Sequence, residues 1–108
     1  MEEKYINKIE LAGRVGTVLK KVIGGTEYAR FSLCTMQVYN SKGCQTIETS
    51  WHACHAFASD EIDLTKIEKG EWLHIVGRLE YRNYVDSNNI EKQVSEIIVT
   101  KIINDEED

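Results

Sequence analysis

The chain has 108 residues, of which 42% are hydrophobic and 29% charged, and its formal net charge is −5. This composition is typical of one soluble globular domain and excludes a disordered or fibrous protein, and no apolar run is long enough for a transmembrane helix. The first residues lack the basic and apolar segments of a signal peptide, and the three cysteines form no paired motif, so we expect a cytoplasmic, reduced protein that does not bind membranes.

The negative charge is concentrated at the two ends of the sequence. Six of the 18 acidic residues are Glu2, Glu3 and residues 105–108, which leaves 12 acids against 13 lysines and arginines in the body of the chain. The body is therefore close to neutral, and the net charge does not exclude a nucleic-acid partner. We expect one domain over residues 1–108, ordered over about 5–103, with an acidic terminal segment at 104–108.

The first two predicted strands are recognised by apolar residues at every second position. In YINKIELAGRV (5–15), alternation places four apolar side chains on one face: Tyr5, Ile9, Leu11 and Val15. In YARFSLCTMQVY (28–39), Phe31 and Leu33 share one face, and the other carries Cys34, Met36 and Val38. GGTE before this strand and NSKG after it supply residues typical of chain reversals.

The third predicted strand contains TSWHACHAF (49–57), which concentrates one cysteine, two histidines and two aromatic residues. Alternation divides it into an inward face of His52, Cys54 and Ala56 and an outward face of Trp51, His55 and Phe57. One metal ion cannot easily collect ligands from opposite faces, and neighbouring Cys54 and His55 cannot easily form a catalytic pair. We therefore expect no metal, no cofactor and no enzymatic activity. The aromatic face is a stacking surface if it is exposed, and part of a core if it is buried.

Residues 59–70 (SDEIDLTKIEKG) carry the end signals of one short helix. Ser59, Asp60 or Asp63 can cap its N-terminus, and Gly70 ends it after two lysines in the last turn.

Two further strands, EWLHIVGRLEYRNY and EKQVSEIIVTKII, follow this helix and are separated by the turn sequence DSNN. In the first of them, alternation predicts an inward face of Leu73, Ile75, Leu79 and Tyr81 and an outward face of His74, Arg78, Arg82 and Tyr84. Five strands with one helix after the third predict an all-β OB-fold, a five-stranded Greek-key barrel.

Several segments, in order along the chain, resemble the bacterial single-stranded DNA-binding protein family. NKIELAGRVG and ARFSLCT are similar to its first two strands, and ETSWHACHAF is similar to its E-x-W-H-x-V-x-F segment. KIEKGEWLHIVGRLEYRNYVD is similar to its lysine-glycine turn, fourth strand and aromatic hairpin. The resemblance extends from about Asn7 to Ile103. It implies an OB-fold protein that binds single-stranded DNA without sequence preference, in DNA replication, recombination or repair, as a homotetramer or homodimer.

The resemblance also implies which residues bind the strand. The base-stacking aromatics of the family match Tyr39, Trp51, Phe57 and Tyr84. The outward face of the fourth strand adds Arg78 and Arg82 as phosphate contacts, and further cationic candidates are Lys8, Arg14, Lys20, Lys21 and Lys42. Ala53 stands where the family usually carries an arginine, and His55 is a histidine that the family pattern does not require. We expect His55 to contribute by stacking or by gaining positive charge as the pH falls.

Two other functions stay open at the level of sequence. One is an OB-fold assembly subunit of a primosome or mobile element, whose sheet aromatics contact protein. The other is a metal-dependent enzyme built around His52, Cys54 and His55. The family typically ends in a linker and an acidic, apolar-ended tip that recruits replication and repair enzymes, whereas this sequence ends in NDEED. We expect no such recruiting tip, and replication or repair proteins are then partners only through other contacts.

Overall fold

The computed structural model describes residues 2–104, and in this part of the chain five long strands carry nearly all of the regular structure. The strands are β1 (Ile9–Ile23), β2 (Thr26–Ser41), β3 (Cys44–Phe57), β4 (Trp72–Val85) and β5 (Glu91–Ile103). The chain reverses between them where Gly24, Gly43 and Asn89 adopt a positive φ, which glycine and asparagine tolerate best. No helix among these residues is long and apolar enough to cross a membrane.

The strands close into one barrel in the order β1-β2-β3-β5-β4. Neighbouring strands are antiparallel except β3 and β5, which run parallel and meet at two residue pairs, Cys54 with Ile97 and His55 with Ile98. We call this short contact the β3–β5 seam. The closed five-stranded barrel confirms the OB-fold predicted from the sequence.

The core is formed by the inward faces of the strands, as alternation predicts. Its most deeply buried side chains include Leu33, Cys54, Ile67 and Ile75. Two aromatic residues that alternation assigns to the inward face are instead exposed, and for these the prediction was wrong. Tyr5 (86% exposed) precedes β1, and Tyr81 (64% exposed) lies where β4 has passed the end of the barrel. An inward orientation buries a side chain only where another part of the barrel covers it.

The short helix predicted at 59–70 is reduced to one turn of 3-10 helix, Leu64–Lys66, capped by Asp63. The carboxylate of Asp63 accepts a hydrogen bond from the Thr65 backbone N–H at 3.0 Å, so one of the three predicted caps is confirmed. Ser59 and Ile62 form a two-way backbone bridge that closes a turn at residues 60–61, just before the 3-10 helix. This segment buries Ile62, Leu64 and Ile67 against the core, a spacing that a regular α-helix would not direct to one side.

Two hairpins project beyond the barrel. Residues 36–51 of the β2–β3 hairpin are all exposed, and so are nearly all residues between Glu80 and Gln93 of the β4–β5 hairpin. The radius of gyration is 16.6 Å, compared with about 13 Å for a compact domain of this length. The hairpins therefore add surface on both sides of the β3–β5 seam.

Gly13→Ala should destabilise the barrel by about 1 to 3 kcal/mol, because a Cβ at this position would lie 1.8 Å from the backbone oxygen of Cys34. The two strands would have to separate to relieve the overlap. The free energy of unfolding in urea measures the effect. Gln37→Ala, on the exposed part of β2, is the control and should change stability by less than about 0.5 kcal/mol. Equal stability of the two variants would contradict the packing described here.

Candidate nucleic-acid interface

The two faces of β3 differ as the sequence predicts. Cys54 and Ala56 are buried in the core, while Trp51 and Phe57 are 61% and 43% exposed on the opposite face. These two aromatics are six positions apart on the strand, a distance of about 20 Å at the usual rise. We call the outward surface of β2, β3, β4 and β5 that contains them the aromatic face.

The Trp51 ring rests on a seat made by β1 and β2. A Cβ atom at Gly16 of β1 would lie 2.6 Å from the indole Cζ3 atom and 2.6 Å from the Ser32 hydroxyl oxygen. That hydroxyl accepts a hydrogen bond from the Thr17 backbone N–H at 2.9 Å, at the irregularity in β1 between Val15 and Val18. The indole thus lies directly on the backbone of Gly16. Sequence alternation could not reveal this residue, because the contact depends on the register of three strands.

His55, between the two aromatics, is held by Tyr28 and Glu96. Its ring stacks on Tyr28 with centroids 5.8 Å apart, and the Tyr28 hydroxyl bonds to its Nδ1 atom. Burial raises the pKa of Tyr28, so at neutral pH this hydroxyl is protonated and can either donate to Nδ1 or accept from it. The Nε2 atom of His55 is buried and lies 3.3 Å from Oε1 of Glu96, in a contact that is poorly aligned for a hydrogen bond. The His55 ring therefore stacks on another side chain of the protein, and a role of His55 in strand binding stays a prediction.

Glu96 is also the partner of Arg82. The Arg82 Nε atom lies 3.3 Å from Oε1 and its Nη2 atom 2.9 Å from Oε2, a two-point pairing. Hydrogen bonding from Arg82 is the main cause that holds the pKa of Glu96 below its usual value. Glu96 is only 13% exposed and is ionised at neutral pH, so it offsets the charge of Arg82. Arg78 is paired with Glu80 through a single contact, between Nη1 and Oε2.

Tyr84 and Arg82 join the aromatic face through a shallow groove of about 340 Å³ across the β3–β5 seam. Ala53 of β3 and Arg30 of β2 line its other side, and Tyr84 is 39% exposed. The structure therefore brings three of the four predicted stacking residues to one surface. Arg30 is a residue that sequence reasoning missed, although alternation places it opposite the buried Phe31.

The remaining predicted residues lie elsewhere on the surface. Tyr39 occupies the other face of the β2–β3 hairpin from Trp51, where its hydroxyl donates to Glu48 at 3.1 Å. The guanidinium of Arg14 packs 5.5 Å from the centre of the Trp72 ring. Lys8 is exposed just before β1, and Lys42 is exposed in the β2–β3 turn with a φ of +51°. Binding by these four residues stays a prediction.

The geometry disfavours both the metal site and the catalytic Cys–His pair that were considered for the third strand. Within residues 2–104, no group of three or more His, Cys, Asp or Glu side chains is arranged to hold a metal ion. Burial raises the pKa of the Cys54 thiol to about 12, which suppresses the thiolate that a nucleophile needs. His52 is half-buried and bonded to the Thr35 hydroxyl at 2.9 Å, as expected for a satisfied interior histidine.

Comparison with known proteins identifies the class to which this surface belongs. Residues 6–104 match the model of the Single-strand binding protein family. The chain belongs to that family. One relative is the mitochondrial single-stranded DNA-binding protein of Danio rerio, 33% identical over 94% of this chain and 77% of that protein. The mitochondrial single-stranded DNA-binding protein 1-A of Xenopus laevis is 32% identical over the same shares. The resemblance found in the sequence is confirmed, and so is the expectation of a binding protein rather than an enzyme.

Solved structures of the single-strand binding proteins share the barrel. The Plasmodium falciparum SSB, solved in complex with ssDNA, has a TM-score of 0.80 and 30% identity, covering 96% of this chain and 100% of that one. The small single-stranded DNA-binding protein of Streptomyces coelicolor has a TM-score of 0.72 at 20% identity, covering 91% and 93%. The second likeness supports the fold alone.

Gly16→Ala should displace the Trp51 indole from its seat, because the added methyl group would overlap the ring. Fluorescence in a Trp72→Phe background, where Trp51 is the one remaining tryptophan, reports on the ring. We expect its emission maximum to move to longer wavelength as the ring loses contact with β1. An unchanged emission spectrum would contradict the proposed seat.

Lowering the pH should destabilise the protein through His52. Burial lowers the pKa of this imidazole, so the unfolded chain binds a proton that the folded chain resists. The contribution is complete above the ordinary histidine pKa of about 6.5 and is lost as the pH falls below it. Urea unfolding at pH 7.5 and 5.5 should therefore show a smaller loss of stability in His52→Gln than in the wild type. An equal or larger loss in the variant would contradict this assignment.

Proposed function

We propose that the chain binds single-stranded DNA without sequence preference, and that it serves DNA replication, recombination or repair. The observation that carries this proposal is the aromatic face, where Trp51, Phe57 and Tyr84 are exposed together beside cationic side chains on an OB barrel. Every base presents a flat ring, so stacking on exposed aromatics tolerates any sequence. Membership of the single-strand binding protein family supports the same function.

The face is suited to stacking because its aromatics are held in place before a strand arrives. The Phe57 ring lies 4.9 Å from that of Tyr28, and Trp51 rests on Gly16. A ring that is already ordered loses little conformational entropy when a base stacks on it. Each stacked base contributes about 1 to 3 kcal/mol. Three such contacts are enough for useful affinity if phosphate contacts add to them.

We further infer that one OB-fold domain is the binding unit and that the chain acts as a homo-oligomer, a tetramer or a dimer. A larger assembly would place several aromatic faces along one strand and raise affinity by linking them. The cytoplasmic location expected from the sequence stays a prediction, since the relatives named above are mitochondrial proteins. Proteins of replication or repair are further candidate partners.

A second candidate function is protein assembly. Met36, Val38 and Ile47 are exposed on the β2–β3 hairpin, on the same face as Trp51. Contiguous exposed apolar side chains are typical of protein contacts. Sedimentation of the wild type and of a Met36→Ser/Ile47→Ser variant tests this function. It requires that the wild type sediment as an assembly and that the variant sediment as a smaller species.

Replacing Trp51, Phe57 or Tyr84 by alanine should weaken binding to oligo(dT) by about 5-fold to 140-fold each, which corresponds to the loss of one stacked base. Fluorescence anisotropy of a labelled oligonucleotide measures the dissociation constants. Wild-type affinity should fall steeply as salt is raised, because phosphate contacts release counterions.

Tyr81→Ala is the matched control for Tyr84→Ala. Tyr81 is an exposed tyrosine on the same strand but faces the other side of the β4–β5 hairpin. This control should bind as the wild type does. Absence of wild-type binding even at low salt would reject the proposed function, and an equal loss for both tyrosines would reject the aromatic face as the site.

A further inference from the structure

The two arginines of β4 that the sequence assigns to phosphate binding are already paired within the protein. Arg78 pairs with Glu80 and Arg82 with Glu96. The two glutamates lie opposite each other in the β4–β5 register, where like charges would repel without the flanking arginines. This group of four residues is close to neutral as a whole. A phosphate that bound Arg82 would have to compete with Glu96.

Arg30 differs from these arginines. Its side chain is exposed and makes no hydrogen bond or ion pair with the other described residues. Its neighbour in the β2–β3 register is His55, whose ring is turned toward Tyr28 and Glu96. Burial keeps the Tyr28 hydroxyl protonated at neutral pH, so it does not neutralise Arg30. The charge of Arg30 is therefore fully available to a ligand.

Two shallow grooves meet at Arg30. The first, of about 340 Å³, crosses the β3–β5 seam toward Arg82 and Tyr84. The second, of about 240 Å³, leads over β2 to Thr17 and Leu19 of β1. Ala53 lines both grooves, and its methyl group leaves the space between them open. A strand that follows the grooves from Tyr84 toward the seat of Trp51 must pass Arg30.

We propose that Arg30, at the junction of these two grooves, binds a backbone phosphate of the single strand between the bases stacked on Trp51 and Tyr84. This subsite rests on the proposed function and adds a phosphate contact to it. The guanidinium can bond two phosphate oxygens at once, and the small side chain of Ala53 lets the backbone approach. The Arg82–Glu96 pair borders the groove without adding net charge.

The test measures how the affinity for oligo(dT) depends on salt in four proteins. Removing one phosphate contact to a single strand lowers the slope of log K against log salt by about 0.7. We expect this loss in Arg30→Gln, with affinity about 5-fold lower at 0.1 M salt. Lys69→Gln, an equal charge change at an exposed residue that lines neither groove, should keep the wild-type slope.

Arg30→Lys provides an independent check, because it retains the charge and should keep most of the slope whether or not the glutamine variant folds fully. Urea unfolding of each variant confirms that the barrel is intact. The subsite would be overturned if Arg30→Gln kept the wild-type salt slope, or if its slope fell only as much as that of Lys69→Gln. Either result would leave single-stranded DNA binding in place. No binding by the wild type would overturn both proposals.

Discussion

The binding surface depends on the β3–β5 seam. Only two residue pairs join these strands, yet they bring together hairpins that are far apart in sequence. Without this closure, Tyr84 and Arg82 would remain on a separate ribbon, and the groove that runs to Ala53 and Arg30 would not exist. The same closure places Ile97 of β5 against the core. Folding of the barrel and assembly of the aromatic face are therefore one event.

Strand β3 has two functions because its side chains alternate. Cys54 and Ala56 point into the barrel and fill the core. Trp51 and Phe57 remain exposed on the other face, supported by Gly16 and Tyr28. A one-residue shift in register would bury the aromatics and expose the cysteine, so the core itself holds the stacking surface outward.

The sequence predicted the features that depend on local periodicity. The strands and the division of residues 49–57 into two faces follow from alternation alone, whereas alternation left open whether the face with Trp51 and Phe57 is exposed. The features it missed depend on distant partners. The predicted helix is a 3-10 turn because contacts with the core determine its shape. Tyr81 is exposed because β4 extends beyond the end of the barrel. Neither the pairing of Arg82 with Glu96 nor the location of Tyr39 on the other hairpin face could be read without the register.

The central claim is that single-stranded DNA binds across the β3–β5 seam on the aromatic face. An NMR titration of the ¹⁵N-labelled protein with oligo(dT) tests it most directly, since each backbone amide reports its own surroundings. The largest shift changes are expected at Arg30, Trp51, Phe57 and Tyr84 and at the seam residues between them. Changes confined to the surface around Arg14 and Trp72, with the seam unaffected, would contradict the claim.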